Sequence, residues 1–152
     1  MECQSAFISR ILDHNYIVPV LGIYDGSDGL RLASGHENEH SESVHDWLER
    51  SNPDLVARIR VILEVARTIR YIHSMDVALF SGCVESKYFF LDSNLSAKFE
   101  FIGLFAWWVT EASIYCHEEY SILVGCTYES NTSAFARLFQ SVSSHFVFPT
   151  LL

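Results

Sequence analysis

Between positions 81 and 88 of the stretch YIHSMDVALFSGCVESKYFFLDSN, residues 71–94, a hydroxyl (Ser81), a thiol (Cys83), a carboxylate (Glu85) and a phenol (Tyr88) follow one another closely. A cysteine nucleophile needs its thiolate, which is scarce at neutral pH unless a cation or a base lowers the thiol's pKa. No Lys or Arg flanks Cys83, and no pattern places a His base and an orienting group beside it. A buried, inert thiol is therefore expected there. His36, His40 and His45 lie along a polar connector without cysteines or a shared facial spacing, so solvated surface is the reading rather than a metal site. His117-Glu118-Glu119 lacks the second histidine of a zinc-protease helix and reads as loop. Cys3, Cys83, Cys116 and Cys126 form no C-x-x-C pair, which argues against a zinc ribbon or a disulfide framework.

The whole chain narrows the function classes further. Ten Lys+Arg against 19 Asp+Glu give a formal charge of −9, which opposes binding to nucleic acid or to anionic membrane surfaces. The most apolar window, Phe101 to Val109, is far shorter than the ~20 residues of a membrane span. Met1-Glu2-Cys3-Gln4 has neither the basic start nor the apolar stretch of a signal peptide. A cytoplasmic protein with no membrane span is expected, and its 152 residues suit one domain with one core.

Several elements must position these side chains. Phe7-Ile8 and Ile11-Leu12 recur at helical spacing before a turn at Asp13-His14-Asn15. Two β-rich runs, Ile17 to Tyr24 and Leu30 to Ala33, flank a Gly/Asp turn and predict a hairpin, with Pro19 near an edge or strand start. Ser43 followed by Asp46 predicts a capped short helix over Val44 to Arg50, with Trp47 and Leu48 inward. Asn52-Pro53-Asp54 predicts a helix start with Asn52 as the cap. From there Leu55, Ile59, Ile62, Leu63, Ala66, Ile69 and Ile72 keep a helical rhythm to about Ser74 and predict the buried face. Ser96 to Phe101 reads as a short strand, Leu104 to Tyr128 as irregular and aromatic, and Asn131 to Ser143 as a helix capped by Asn131. Residues from Phe146 onward show no pattern.

In this order the elements resemble the middle of a eukaryotic protein kinase domain. HNYIVPVLGIYDGSDGLRLAS resembles the H-x-N-I-V-x-L-L-G stretch before the hinge, and SVHDWLERSNPDLVARIRVILEVARTIRYIHSMD is similar to the helix pair of the receptor-like and tyrosine-kinase-like branch. The loop aligns without a gap on H-S-x-D-P-P-I-I-H-[RG]-D-[LV]-K-x-x-N-I-L-L-D, from His73 to Asp92. His117-Glu118-Glu119-Tyr120 resembles A-P-E-Y, and Asn131 to Phe135 resembles D-V-Y-x-F. The likeness runs from residue 7 to about 142. It implies an α+β fold: one truncated kinase-like domain over 1–152, with a small-lobe remnant and its hairpin (1–34), a hinge-like connector (35–42) and a partial, mainly helical large lobe (43–152).

The same likeness implies lost chemistry. The family's H-R-D residues fall on Ser81, Gly82 and Cys83, its Lys on Glu85, its metal-binding Asn on Tyr88, and its D-F-G on Phe101-Ile102-Gly103. A phosphoryl-transfer site works by positioning and by charge, with a carboxylate at the substrate hydroxyl and hard oxygens on Mg²⁺. Glu85 would also reverse the local field by putting an anion where a cation belongs. The glycine-rich phosphate loop and the V-A-I-K lysine have no counterpart in this sequence, so no cofactor is expected where the family would use ATP and Mg, and metal-free nucleotide binding stays open. Glu100, one residue before the D-F-G position, is the single carboxylate a register slip could present to a metal. The expectation is a catalytically inactive module that binds a protein partner, a full-length kinase or receptor, or self-associates. Phe105, Trp107 and Trp108 are candidates for the contact surface, core packing being the plainer reading. A decayed gene fragment and residual ATP-dependent kinase activity are the alternatives. Arg137 interrupts an otherwise apolar helix, which requires either an acidic partner or greater exposure of that helix.

Overall fold

The computed structural model describes residues 12–18, 20–26, 29–34, 41–100 and 127–144. The expected helix at Phe7, the D-F-G positions Phe101, Ile102 and Gly103, the aromatic Phe105, Trp107 and Trp108, and His117 to Tyr120 lie outside the described residues, as do His36, His40, Cys3, Cys116 and Cys126.

Among the described residues the strands and α-helices follow in the order β1 (Ile17–Val18), β2 (Val20–Gly26), β3 (Gly29–Ser34), β4 (Glu42–Ser43), α1 (Val44–Ser51), α2 (Leu55–Ser74), β5 (Phe89–Leu91), β6 (Ala97–Glu100) and α3 (Tyr128–Ser144). The fold is α+β, and it is consistent with part of a kinase-like domain. β2 and β3 form the expected antiparallel hairpin, in one register from Gly22 opposite Ala33 to Gly26 opposite Gly29, with a shift between Gly22 and the Val20–Ser34 pair. A second, four-stranded sheet runs in the order β1-β6-β5-β4. The sequence run Ile17 to Tyr24 is therefore divided between the two sheets. Ile17 and Val18 pair in parallel with Phe99 and Glu100, while Val20 onward belongs to the hairpin.

Caps set the helix boundaries. Ser43 Oγ accepts from the Asp46 N–H at 3.1 Å and donates to the Asp46 carboxylate at 2.7 Å, so the expected start of α1 is present. Asn52 has a different role from the expected one. It ends α1 in a left-handed conformation (φ 38°, ψ 58°), and Asp54 caps α2 by accepting from the Ala57 N–H at 2.8 Å. Asn tolerates positive φ because its short polar side chain bonds locally. Asn131 does not cap α3 either: Thr127 and Ser130 bond reciprocally at the helix start, and Asn131 lies inside the helix, fully buried.

The core gathers Ile17, Val44, Trp47, Val61, Val65, Ile72, Leu79, Phe89 and Phe99. Phe89 and Phe99 face each other across β5 and β6 with ring centroids 5.0 Å apart, edge to face, an arrangement that adds to the burial of both rings. α2 is fastened to β6 by the Thr68 hydroxyl, which donates to the Ala97 carbonyl at 2.6 Å. The buried face of α2 is Arg58, Val61, Ile62, Val65, Thr68, Ile69 and Ile72. Leu55, Ile59 and Leu63, expected in the core from their spacing, are exposed. Both rows satisfy a helical period, and only the position of the sheet and α3 selects between them. Among the described residues no helix is long and apolar enough to cross a membrane.

Candidate active-site loop and the cleft beside it

After α2 the chain reverses through Met75 and Asp76, the latter at φ 58°, and enters the loop at Leu79. Two short 3-10 turns, Ser81–Cys83 and Ser86–Tyr88, form the loop's backbone. The Cys83 N–H reaches the Phe80 carbonyl at 2.8 Å, and the Tyr88 N–H reaches the Glu85 carbonyl at 3.1 Å. At the far end Asp92 Oδ1 accepts from the N–H groups of Asn94 (2.8 Å) and Ser96 (3.0 Å), which closes the turn between β5 and β6.

One residue of α3 holds the entrance of this loop. Asn131 Oδ1 accepts from the Leu79 N–H at 2.8 Å, and its Nδ2 donates to the Leu79 carbonyl. His73 Nε2 meets the same Oδ1 at 2.9 Å. The end of α2, the loop and the start of α3 are thereby joined through a single buried amide, which satisfies main-chain groups that could not reach water. The sequence marked Asn131 as a cap and as the first residue of the segment resembling D-V-Y-x-F; its distance from Leu79 along the chain hid the pairing.

A cleft of about 520 Å³ lies between the loop (Phe80, Ser81, Gly82, Val84, Glu85, Ser86) and α3 (Ala134, Arg137, Leu138, Ser141). Ser81, Gly82 and Glu85 thus come together on its wall. Cys83 and Tyr88 do not line it: both are half-buried and pack against the hydrophobic core. Phe80 covers Gly82 so closely that a Cβ at Gly82 would stand 2.7 Å from the Phe80 Cε1. An arginine at this position would need Phe80 to move.

The charges beside the cleft come from Glu85, Lys87 and Arg137. Glu85 is not a solitary anion, because Lys87 Nζ lies 3.0 Å from its Oε2, and the Glu85 hydrogen bond and charge push the Lys87 pKa upward. Lys87 Nζ also lies 5.0 Å from the centre of the Tyr88 ring. Arg137 lines the opposite wall, is exposed, and has no carboxylate within ion-pair distance among the described residues, so exposure rather than pairing accounts for it. Glu85 thus has a cation beside it, and Arg137 stands on the facing wall.

Glu100 ends β6 opposite Val18, half-buried, and its burial raises its carboxyl pKa. The ladders on both sides of β6 hold its register. Among the described residues no three His, Cys, Asp or Glu side chains gather as a metal site. His45, exposed on α1, lies 3.5 Å from Glu49.

No family model matches the chain. It is 26% identical over 95 residues to receptor-interacting serine/threonine-protein kinase 2 of Bos taurus, a stretch covering 61% of this chain. The chain spans 18% of that relative's length. This similarity supports a kinase-like relationship and distinguishes no branch within it.

Proposed function

We propose that this chain is a kinase-like module that does not transfer phosphate and acts by binding another protein. The observation that carries the proposal is the fate of two side chains. At the positions that resemble the family's catalytic Asp and metal-binding Asn, Cys83 and Tyr88 pack against the core rather than face the cleft. A thiol held there is no carboxylate base, and a phenol is no hard anionic ligand for Mg²⁺. The partner in this reading is a full-length kinase or receptor, met in the cytoplasm, and residues 1–152 act together as one kinase-like domain.

The test is a phosphotransfer assay with radiolabelled ATP, Mg²⁺ and a generic protein substrate, run beside a thermal-shift titration with nucleotide. The expected result is label incorporation at the blank level for the wild type and for Cys83→Asp, with no Mg²⁺-dependent rise in Tm. Incorporation that scales with protein and disappears in Cys83→Ala or Glu100→Gln would overturn the proposal.

A further inference from the structure

The solvent side of α2 has an unusual composition. Its exposed residues are the apolar Leu55, Val56, Ile59 and Leu63, then Arg60, Arg67 and Arg70, and finally Ser74. Val56 and Leu63 keep 60% and 55% of their surface in water, so they are not margins of the core. Leu55, Ile59 and Leu63 stand at successive i, i+4 positions, and Arg67 continues their row. Arg60 follows Val56 at the same interval, and Arg70 lies two turns beyond Leu63. Glu64 is the sole acidic residue of the helix, and it is engaged with Arg67. Among the described residues no carboxylate lies within ion-pair distance of Arg60 or Arg70. Four of the chain's ten Lys+Arg, counting the buried Arg58, belong to this one helix of a protein with net charge −9.

From this juxtaposition we infer that the exposed face of α2 docks an acidic amphipathic helix of a partner protein, leucine-like anchors on the Leu55-Ile59-Leu63 row and carboxylates on Arg60 and Arg70. The inference rests on the reading that the chain acts by protein binding, and it names the chemistry of the partner. Charge complementarity selects this occupant. A second copy apposed through the same face would bring two arginine rows together without carboxylates to separate them. An anionic bilayer would meet the helix favourably but the remainder of a −9 chain unfavourably. A helix laid along this face would meet anchors at i, i+4 and i+8, the spacing that Leu55, Ile59 and Leu63 present.

Fluorescence polarisation tests it with three probes and the full chain. These are a labelled synthetic helix with leucines at i, i+4 and i+7 flanked by glutamates, its twin with lysines for the glutamates, and vesicles containing phosphatidylserine. The glutamate helix is expected to bind with affinity that falls as salt is raised, and the lysine twin is expected to show no binding. Ile59→Glu with Leu63→Glu, and separately Arg60→Ala with Arg70→Ala, each weaken binding about tenfold or more. These side chains are exposed, so both variants keep the wild-type melting curve, which circular dichroism verifies. Equal binding of the twin, no binding of either helix, or vesicle binding lost in the same variants overturns the inference. Binding of the glutamate helix that both variants retain also overturns it, yet leaves the protein-binding reading intact; phosphotransfer activity overturns that reading itself.

Discussion

Asn131 bonds both main-chain groups of Leu79, accepting from its N–H at 2.8 Å and donating to its carbonyl, although 52 residues separate the two. Both residues are fully buried. This pairing, rather than any side chain of the loop itself, determines where the loop leaves α2 and how it meets α3. Replacement by alanine would strand two buried main-chain groups, each at about 1–3 kcal/mol. Asn131→Ala is therefore expected to lose about 2–4 kcal/mol of stability in urea melts, with a slope little changed. A loss below about 0.5 kcal/mol would show that water replaces the amide.

Among the described residues Arg58 is the charged residue of the core, only 3% exposed. Its guanidinium donates to the Pro53 carbonyl (2.8 Å), the Val142 carbonyl (3.0 Å) and Asn52 Oδ1 (3.1 Å), and so ties the start of α2 to the end of α3. The acceptors are all neutral, so geometry rather than ion pairing retains the arginine. Arg58→Lys keeps the charge but loses the fork, and is expected to be destabilised nearly as much as Arg58→Ala, by about 2–4 kcal/mol. A lysine variant within about 0.5 kcal/mol of wild type would show that charge alone suffices.

Gly82 and Phe80 should behave as a coupled pair. A Cβ at Gly82 meets the Phe80 ring at 2.7 Å, and Phe80 is 41% exposed, so the ring can swing outward. Gly82→Ala is expected to cost about 1 kcal/mol alone and about nothing in a Phe80→Ala background. A double-mutant cycle measures the difference. Additive effects would mean that the ring yields freely.

Two carboxylates should give opposite pH responses. Burial raises the Glu100 pKa, so its ionisation disfavours the folded state: stability is greater below the unfolded pKa and is lost as pH rises through the folded one. Glu100→Gln is expected to raise Tm at pH 7 and to leave it unchanged in acid. The hydrogen bond from Arg50 lowers the Glu42 pKa, so that contribution is present above the unfolded pKa and is lost as pH falls through the folded one. Glu42→Gln should lower Tm at pH 7, slightly because Arg50 is exposed, and have no effect in acid. Parallel melts across this range distinguish the two signs.

Local rules made much of the fold readable in advance. Ser43 and Asp46 marked a helix start by side chains that bond within one turn, and the two β-rich runs marked their hairpin because turn chemistry and alternation act between neighbours. The residue types at Ser81, Gly82, Cys83, Glu85 and Tyr88 are read from the sequence directly, and the comparison with the family's loop rests on their type and order alone. What required the tertiary structure were relationships that no local pattern encodes. The parallel pairing of Ile17 with Phe99 joins residues 82 apart, and β5 received no sequence signal because Phe89-Phe90-Leu91 is too short a run to tell strand from loop. α2 carries two apolar rows of equal helical merit, and contact with β6 and α3 alone placed Val61 and Val65 inside and Ile59 and Leu63 in water. Whether Cys83 faces a cleft or a core, and whether Glu85 stands alone or beside Lys87, was likewise decided by packing, because chain order specifies which groups are present but not which surfaces they share.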